Sequence, residues 1–202
     1  MLPLMAKRLF DLLGAALALL LLAPLLLGVA LAIRLDSPGP VFFRQQRVGR
    51  GGAPFRIHKF RTMRVDAPAL GPPLTVGHDA RITRIGHALR HYRIDELPQF
   101  IDVLLGRMSL VGPRPEVPRF VAHYPADLKA RVLAVRPGIT DPASLAHIDE
   151  AARLAASADP EREYIEHILP QKLALQAEYA ANATLWSDLR VLGRTLGVLL
   201  SR

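Results

Sequence analysis

LLGAALALLLLAPLLLGVALAI, residues 12–33, carries no charge over 22 positions. As a helix it is long enough to span a hydrocarbon core of roughly 30 Å. Ala30-Leu31-Ala32 resembles a signal-peptidase site. The apolar block before it is too long, since a signal peptide's apolar region covers about 7–15 residues. The charges around the block argue against a straight span. Lys7 and Arg8 precede it, and Arg34, Arg44, Arg47, Arg50, Arg56, Lys59, Arg61 and Arg64 follow, opposed between residues 34 and 64 only by Asp36. Orientation in membranes follows an asymmetry of Lys and Arg, and here both flanks ask for the cytoplasmic side. Pro24, in the middle, removes one helical hydrogen bond and bends the helix. The pattern therefore predicts a kinked, re-entrant membrane helix that enters and leaves by one face, with an anchor over residues 1–35.

The remaining residues, 36–202, suit one cytoplasmic domain of α+β, mostly helical class. Asp36-Ser37-Pro38-Gly39-Pro40 is a rigid exit turn. Residues 41–43 and 55–60 read as two short strands of a β-hairpin, with Gly49-Arg50-Gly51-Gly52 as its turn. Residues 65–78 read as a loop. From Asp79 a helix is expected, with Ile82, Ile85, Leu89 and Tyr92 on one side. A short helix is expected over 125–133, and stiff loops over 108–116 and 136–140. Asp159-Pro160 opens a further helix, interrupted by Pro170 and continuing to about Tyr179. From Thr184 the tail is amphipathic, with Leu185, Trp186, Leu189, Leu192, Leu196 and Leu199 against Asp188, Arg190 and Arg194. It suits either a helix lying in the membrane interface or a packed terminal helix.

A net charge of +8 calls for an anionic partner. Nucleic acid is disfavoured, because aromatics make up only 6% and no recognition motif is present. Beside a membrane segment, membrane lipids and phosphorylated substrates fit better. The absence of cysteine excludes disulfides, thiolate nucleophiles and Cys-type zinc sites. His87 and His91 stand four apart with no third ligand pattern, which reads as a solvated helix face.

Arg93-Ile94-Asp95-Glu96-Leu97-Pro98-Gln99 places two adjacent carboxylates before an apolar helical stretch. Pro98 suits a first helical turn, so Asp95 is expected as an N-cap, near unpaired N–H groups and the positive end of the helix dipole. Capping alone would explain such a pair. The rest of the chain adds the parts of a phosphoryl-transfer site, which needs charge neutralisation, a positioned nucleophile and usually a hard cation. Arg114, held between Pro113 and Pro115, presents a preorganised bidentate fork for phosphate. Arg81, Arg90, Arg93, Arg136 and Lys59 are further candidates for a diphosphate cradle. Aspartate can act as a covalent nucleophile towards phosphorus. Mg²⁺ typically takes one or two carboxylates plus substrate phosphates, so Asp95 and Glu96 form a sufficient protein contribution.

Seven blocks, in order, carry a resemblance: Lys7-Arg8-Leu9-Phe10-Asp11 with the proline-broken anchor; Ser37 to Gln45; Lys59-Phe60-Arg61-Thr62-Met63; Asp79 to Thr83; Asp95-Glu96-Leu97-Pro98-Gln99; Ser109 to Pro115; and Arg136-Pro137-Gly138-Ile139-Thr140. Over nearly its whole length the chain resembles the bacterial sugar transferases, the monotopic phosphoglycosyl transferases, in their small form. The resemblance implies transfer of a phosphosugar from a UDP-sugar to polyprenyl (undecaprenyl) phosphate with release of UMP, at the start of exopolysaccharide or lipopolysaccharide assembly. It also implies Asp95 as nucleophile of an acyl-phosphosugar intermediate, Glu96 as the carboxylate associated with Mg²⁺, and Arg114 as part of the site. It implies a re-entrant helix and interfacial amphipathic helices around an active site facing the cytoplasm at the bacterial inner membrane. A homo-oligomer stays open. Two positions depart from the family pattern: Ala23 stands before Pro24 where many members carry Ser, and Asp141-Pro142-Ala143-Ser144 follows Thr140 where many have Gly-Trp or Gly-Leu. The rival readings are a non-catalytic basic membrane-surface module and a membrane diphosphate hydrolase.

Overall fold

In the computed structural model, residues 2–70 and 79–201 are described. The loop expected over 65–78 therefore lies, from residue 71 onward, outside the described residues, as does His78.

The apolar block forms part of one helix, α1, Leu2–Asp36, with Pro24 inside it. At about 1.5 Å per residue, 35 residues exceed the thickness of a hydrocarbon core. Most of its apolar length is exposed, including Leu17, Leu20, Leu21 and Leu27. Both ends are bonded to the same folded body. Near the start, Arg8 donates to the Val103 carbonyl (2.8 Å) and the buried Asp11 carboxylate accepts from Leu110 N–H (3.1 Å) and Ser109 Oγ (2.9 Å). Near the end, Leu26, Val29, Ala30 and Ile33 pack with Phe60 and Leu89. There the buried Arg61 guanidinium donates to the carbonyls of Ile33 (3.4 Å), Ser37 (2.8 Å) and Pro38. These bonds satisfy acceptors that a helix C-terminus leaves open, with a cation at the negative end of its dipole.

The expected hairpin forms in two pieces. Strand β1 (Phe42–Phe43) pairs antiparallel with β4 (Lys59–Phe60), and β2 (Gln46–Val48) with β3 (Pro54–Arg56), around the 3-10 turn Arg50–Gly52. Gly51 and Gly52 take positive φ there, which suits glycine. The ladder breaks at His58 because its N–H donates to Asp102 Oδ2 (2.7 Å) rather than to the opposite strand. After the short α2 (Ala67–Leu70), α3 spans Arg84–His91, capped by Thr83. It begins later than Asp79, because the Asp79 carboxylate folds back onto the Arg81 N–H and guanidinium, making a turn.

Two segments read as loops are strands. β5 (Ser109–Val111) and β6 (Gly138–Thr140) form a short parallel ladder, Ser109 opposite Gly138 and Val111 opposite Thr140. Gly112 and Gly138 are in close approach, and a Cβ on Gly138 would lie 2.1 Å from the Gly112 nitrogen. α4 (Gln99–Leu104) precedes β5, and α5 (Pro118–Val121) and α6 (Ala126–Val132) run between the strands, the last as expected from sequence. Beyond them α7 (Pro142–Ala146) and α8 (Glu150–Ala155) are helices the apolar spacing did not announce. α9 (Pro160–Glu163) is capped by Asp159; a π-helical turn, Tyr164–Ile168, then leads into α10 (Leu169–Asn182). Pro170 cannot donate a backbone bond, and the widened turn just before it is how the helix passes the interruption. α11 (Leu185–Leu200) begins with the Thr184–Ser187 capping box. The protein is thus mostly helical α+β, with a long apolar first helix and three small sheets.

Candidate active site

Asp95 and Glu96 do not start a helix. They lie in a 3-10 turn, Ile94–Glu96, and Pro98 is the N-cap of α4, with no side-chain cap. The cause is one residue earlier. Arg93 closes α3 in the left-handed conformation (φ 58), the only described non-glycine residue with positive φ, and this reversal swings both carboxylates inward. The N-cap expectation for Asp95 is therefore corrected: its carboxylate meets a side chain, not helix N–H groups.

That side chain is Lys59, delivered by β4. Its Nζ is 2.8 Å from Asp95 Oδ2 and 3.4 Å from Glu96 Oε1. Asp95 is only 2% exposed, and its other oxygen, Oδ1, is buried with no hydrogen-bond partner among the described residues. A buried polar atom left without a partner typically costs about 1–3 kcal/mol, so such an atom calls for an explanation. Glu96 is saturated by contrast. Arg114 lays its guanidinium on both oxygens, Nη1 to Oε2 at 3.2 Å and Nη2 to Oε1, and Arg93 Nη1 stands 3.8 Å from Oε2. Burial pushes the Glu96 carboxyl up, but the charges of Arg114 and Lys59 and the Arg114 hydrogen bonds outweigh it and hold the carboxyl well below the usual range. Glu96 reciprocally raises the Arg114 guanidinium.

The cradle candidates separate by position. Lys59, Arg93 and Arg114 reach the dyad. Arg90 is lowered by burial and feels the charges of Asp95 and Asp79, which places it on the dyad's border. Arg81 forks onto Asp79 (Nη2–Oδ2 2.6 Å), and its hydrogen bond, against the cost of burial, lowers the Asp79 carboxyl to about 2. Arg136 Nε donates to the Gly106 carbonyl (3.0 Å). These last two hold the scaffold. Both depressed carboxyls, Asp79 and Glu96, contribute stability that is complete above the unfolded values near about 4. It is lost as pH falls through the folded values, about 2 for Asp79.

Sequence reading missed the residues that hold these side chains. Asp102, fully buried on α4, accepts from the His58 N–H and from His58 Nδ1 (2.8 Å). Since Arg44 Nη1 lies 2.7 Å from His58 Nε2 and can only donate, the neutral ring carries its proton on Nδ1. This clamp orients the residue before Lys59. Behind Arg114, Tyr164 donates to Glu116 (2.6 Å) and Arg47 to the Pro115 carbonyl (2.9 Å). Asp141, at the end of β6, accepts from the Arg114 N–H (2.7 Å). The only sequence signal for these residues was their place beside the recognised blocks.

Among the described residues no group of three or more His, Cys, Asp or Glu side chains could hold a metal ion. A cation here would rely on the dyad, substrate oxygens and water, which is how Mg²⁺ is commonly held. Two adjacent carboxylates, one with a free buried oxygen, suit that hard ion.

Left-handed Arg93 separates stability from activity. A strained backbone position costs of order 1–3 kcal/mol. Arg93→Gly is expected to keep or raise the melting temperature while lowering turnover. Thermal unfolding and activity measured on one sample check it; equal loss of both would sink the idea.

The bacterial sugar transferase family model matches residues 2–202. A UDP-N-acetylgalactosamine-undecaprenyl-phosphate N-acetylgalactosaminephosphotransferase of Aeromonas hydrophila is 41% identical over 197 residues, 96% of this chain and 44% of that protein. A UDP-glucose:undecaprenyl-phosphate glucose-1-phosphate transferase of Caulobacter vibrioides is 43% identical over 200 residues, 96% of this chain and 70% of that protein. The exopolysaccharide production protein PSS of Rhizobium leguminosarum is 54% identical over 112 residues, 55% of this chain and 56% of that protein. The chain thus spans about half the length of the first of these relatives. It belongs to the bacterial sugar transferase family.

Proposed function

We propose that this member of the bacterial sugar transferase family moves a phosphosugar from a UDP-sugar to undecaprenyl phosphate, releasing UMP, through an aspartyl-phosphosugar intermediate. The observation that carries the reading is Asp95, with one carboxylate oxygen held by Lys59 and the other buried and unpartnered. A nucleophile needs this combination: a fixed carboxylate with a free lone pair.

In the first step an Asp95 oxygen attacks the phosphorus bearing the sugar. The bond from that phosphorus to the bridging oxygen breaks, and UMP leaves with the electron pair. In the second, a phosphate oxygen of the lipid attacks the same phosphorus, the acyl–phosphate bond breaks, and the Asp95 carboxylate is restored. Arg114, Arg93 and Lys59 face the developing charge, where preorganised donors are most effective. Bound Mg²⁺, held by Glu96 and Asp95, would neutralise diphosphate charge. One phosphate cradle serves both substrates in turn, so the soluble donor leaves before the lipid acceptor arrives. The relatives act on UDP-N-acetylgalactosamine and on UDP-glucose at similar identity, so the donor sugar is set by assay.

A re-entrant α1 is supported by its contacts. Both ends bond to one body, and a body on one side of a bilayer reaches both ends only if the helix returns. Basic flanks on both sides support an active site that faces the cytoplasm at the inner membrane. The exposed Leu185, Trp186, Leu189, Leu196 and Leu200 of α11 suit the interface. A tag at the N-terminus is expected to be reachable from the cytoplasm only; labelling from outside the inner membrane would refute the re-entrant arrangement.

The test of function offers purified protein Mg²⁺ and UDP-sugars one at a time, following UMP and intact mass. A phosphosugar mass gain with UMP release, discharged by undecaprenyl phosphate into lipid-linked sugar, is expected with one donor. UMP and free sugar phosphate without any adduct would instead indicate a hydrolase.

A further inference from the structure

The Arg114 side chain sits on Glu96, but its backbone is held from elsewhere. Asp141 is 0% exposed and lies where β6 gives way to α7. Its Oδ2 accepts from the Arg114 N–H (2.7 Å) and from Gln176 Nε2 on α10 (2.8 Å), and its Oδ1 accepts from the Ser144 N–H at the start of α7. Three donors converge on this group, so it must accept only. An ionised carboxylate does; an amide cannot, because either orientation turns its NH₂ against a donor. Gln176 is itself buried, so its amide has no water to turn to. The neighbouring carbonyls of Pro113 and Pro115 accept from the Gly138 N–H (3.0 Å) and from Arg47 (2.9 Å), and Asp141 is the group that fixes the main chain of Arg114 itself.

From this geometry we propose that Asp141, braced by Gln176, is the positioning residue that aims the Arg114 fork at Glu96 and the substrate diphosphate. Asp141 itself touches no substrate and acts through Arg114. The catalytic part of the inference rests on the transferase reading; the structural part does not. Without the brace, the loop between β5 and α5 keeps its prolines and the bonds to their carbonyls but loses the one that fixes the Arg114 N–H. The fork then leaves Glu96 for part of the time, and a small misplacement of a phosphate-binding group is costly.

The test compares Asp141→Asn, the milder Gln176→Leu, Arg114→Lys and Asp141→Asn/Arg114→Lys, all in bilayer nanodiscs below their melting temperatures. One readout needs no activity: the rate at which phenylglyoxal modifies Arg114, followed by peptide mass. Loss of a hydrogen bond of ordinary net strength is expected to speed modification of Arg114 about tenfold, with the rate at the buried Arg61, which is bonded away from this loop, unchanged. The second readout is UMP release. Asp141→Asn is expected to lower kcat about a hundredfold, with a much smaller change in donor KM. In the Arg114→Lys background it should cost little more, because contacting residues acting as a unit are non-additive. An Arg114 modification rate equal to that of the parent would overturn the proposal. So would an Asp141→Asn loss of the same factor in both backgrounds, which marks general damage to the fold. A parent protein that releases no UMP from any donor would refute the transferase reading, and the modification rates would still decide whether Asp141 holds Arg114.

Discussion

Asp95→Asn is expected to lower UMP release by about 10⁴-fold or more and to abolish the phosphosugar adduct, since removing a nucleophile takes the whole covalent route with it. The substitution keeps the shape of the side chain, and its amide oxygen can still accept from Lys59. It removes the charge of a carboxylate that is buried with one oxygen unpartnered. Folding should therefore be unchanged or slightly favoured, as is common when a group kept for reactivity is neutralised. Intact mass after incubation with the active donor, beside a thermal melt, is the measurement. An adduct that persists, or UMP release within about tenfold of the parent, would move the nucleophile elsewhere.

The two halves of this argument were not equally legible in the sequence. α1 was, because 22 uncharged residues leave few alternatives, and so were the hairpin turn and the Thr184 start of α11, where the signals are local. The dyad was legible as a pair of carboxylates among cations and misread as a helix start. Pro98 and Asp95 satisfied the rules of a helix start, and only the left-handed Arg93, a conformation that glycine usually supplies, decides otherwise. The parallel pairing of β5 with β6 joins segments about 29 residues apart, and no local pattern states a long-range partner. The same holds for Asp102 and Asp141, whose importance lies in what donates to them.

Those long-range partners also explain how the long apolar helix and the Arg114 loop become one object. Val111, at the end of β5, leads directly to the Pro113-Arg114-Pro115 loop. Its carbonyl accepts from Lys7 Nζ (3.2 Å) of α1 and lies 3.1 Å from the Tyr179 hydroxyl of α10. Tyr179 also donates to Asp188 Oδ1 (2.5 Å) of α11. The strand that leads to Arg114 is thus bolted to α1, α10 and α11 by one polar cluster.

Among the described residues Lys7 is the only cation paired in that cluster, 2.6 Å from Asp188 Oδ2 and 3.7 Å from Asp11 Oδ1, and both carboxylates are buried. Lys7→Met keeps the stem that packs and removes the charge, so two buried anions face one another's region with no counter-ion. Breaking a buried pair from one side costs about 3–5 kcal/mol, and this protein should lose stability on that scale. Lys7→Arg should recover part of it, since the charge returns with a different shape. The decisive comparison is Lys7→Met with Asp188→Asn. If the loss comes from an uncompensated anion, the double variant should be more stable than Lys7→Met alone, because the second change removes one of the stranded charges. Unfolding in nanodiscs measures all three. A double variant less stable than either single one would mean that Lys7 and Asp188 act through packing, and that α1 is held to β5 by shape rather than by charge.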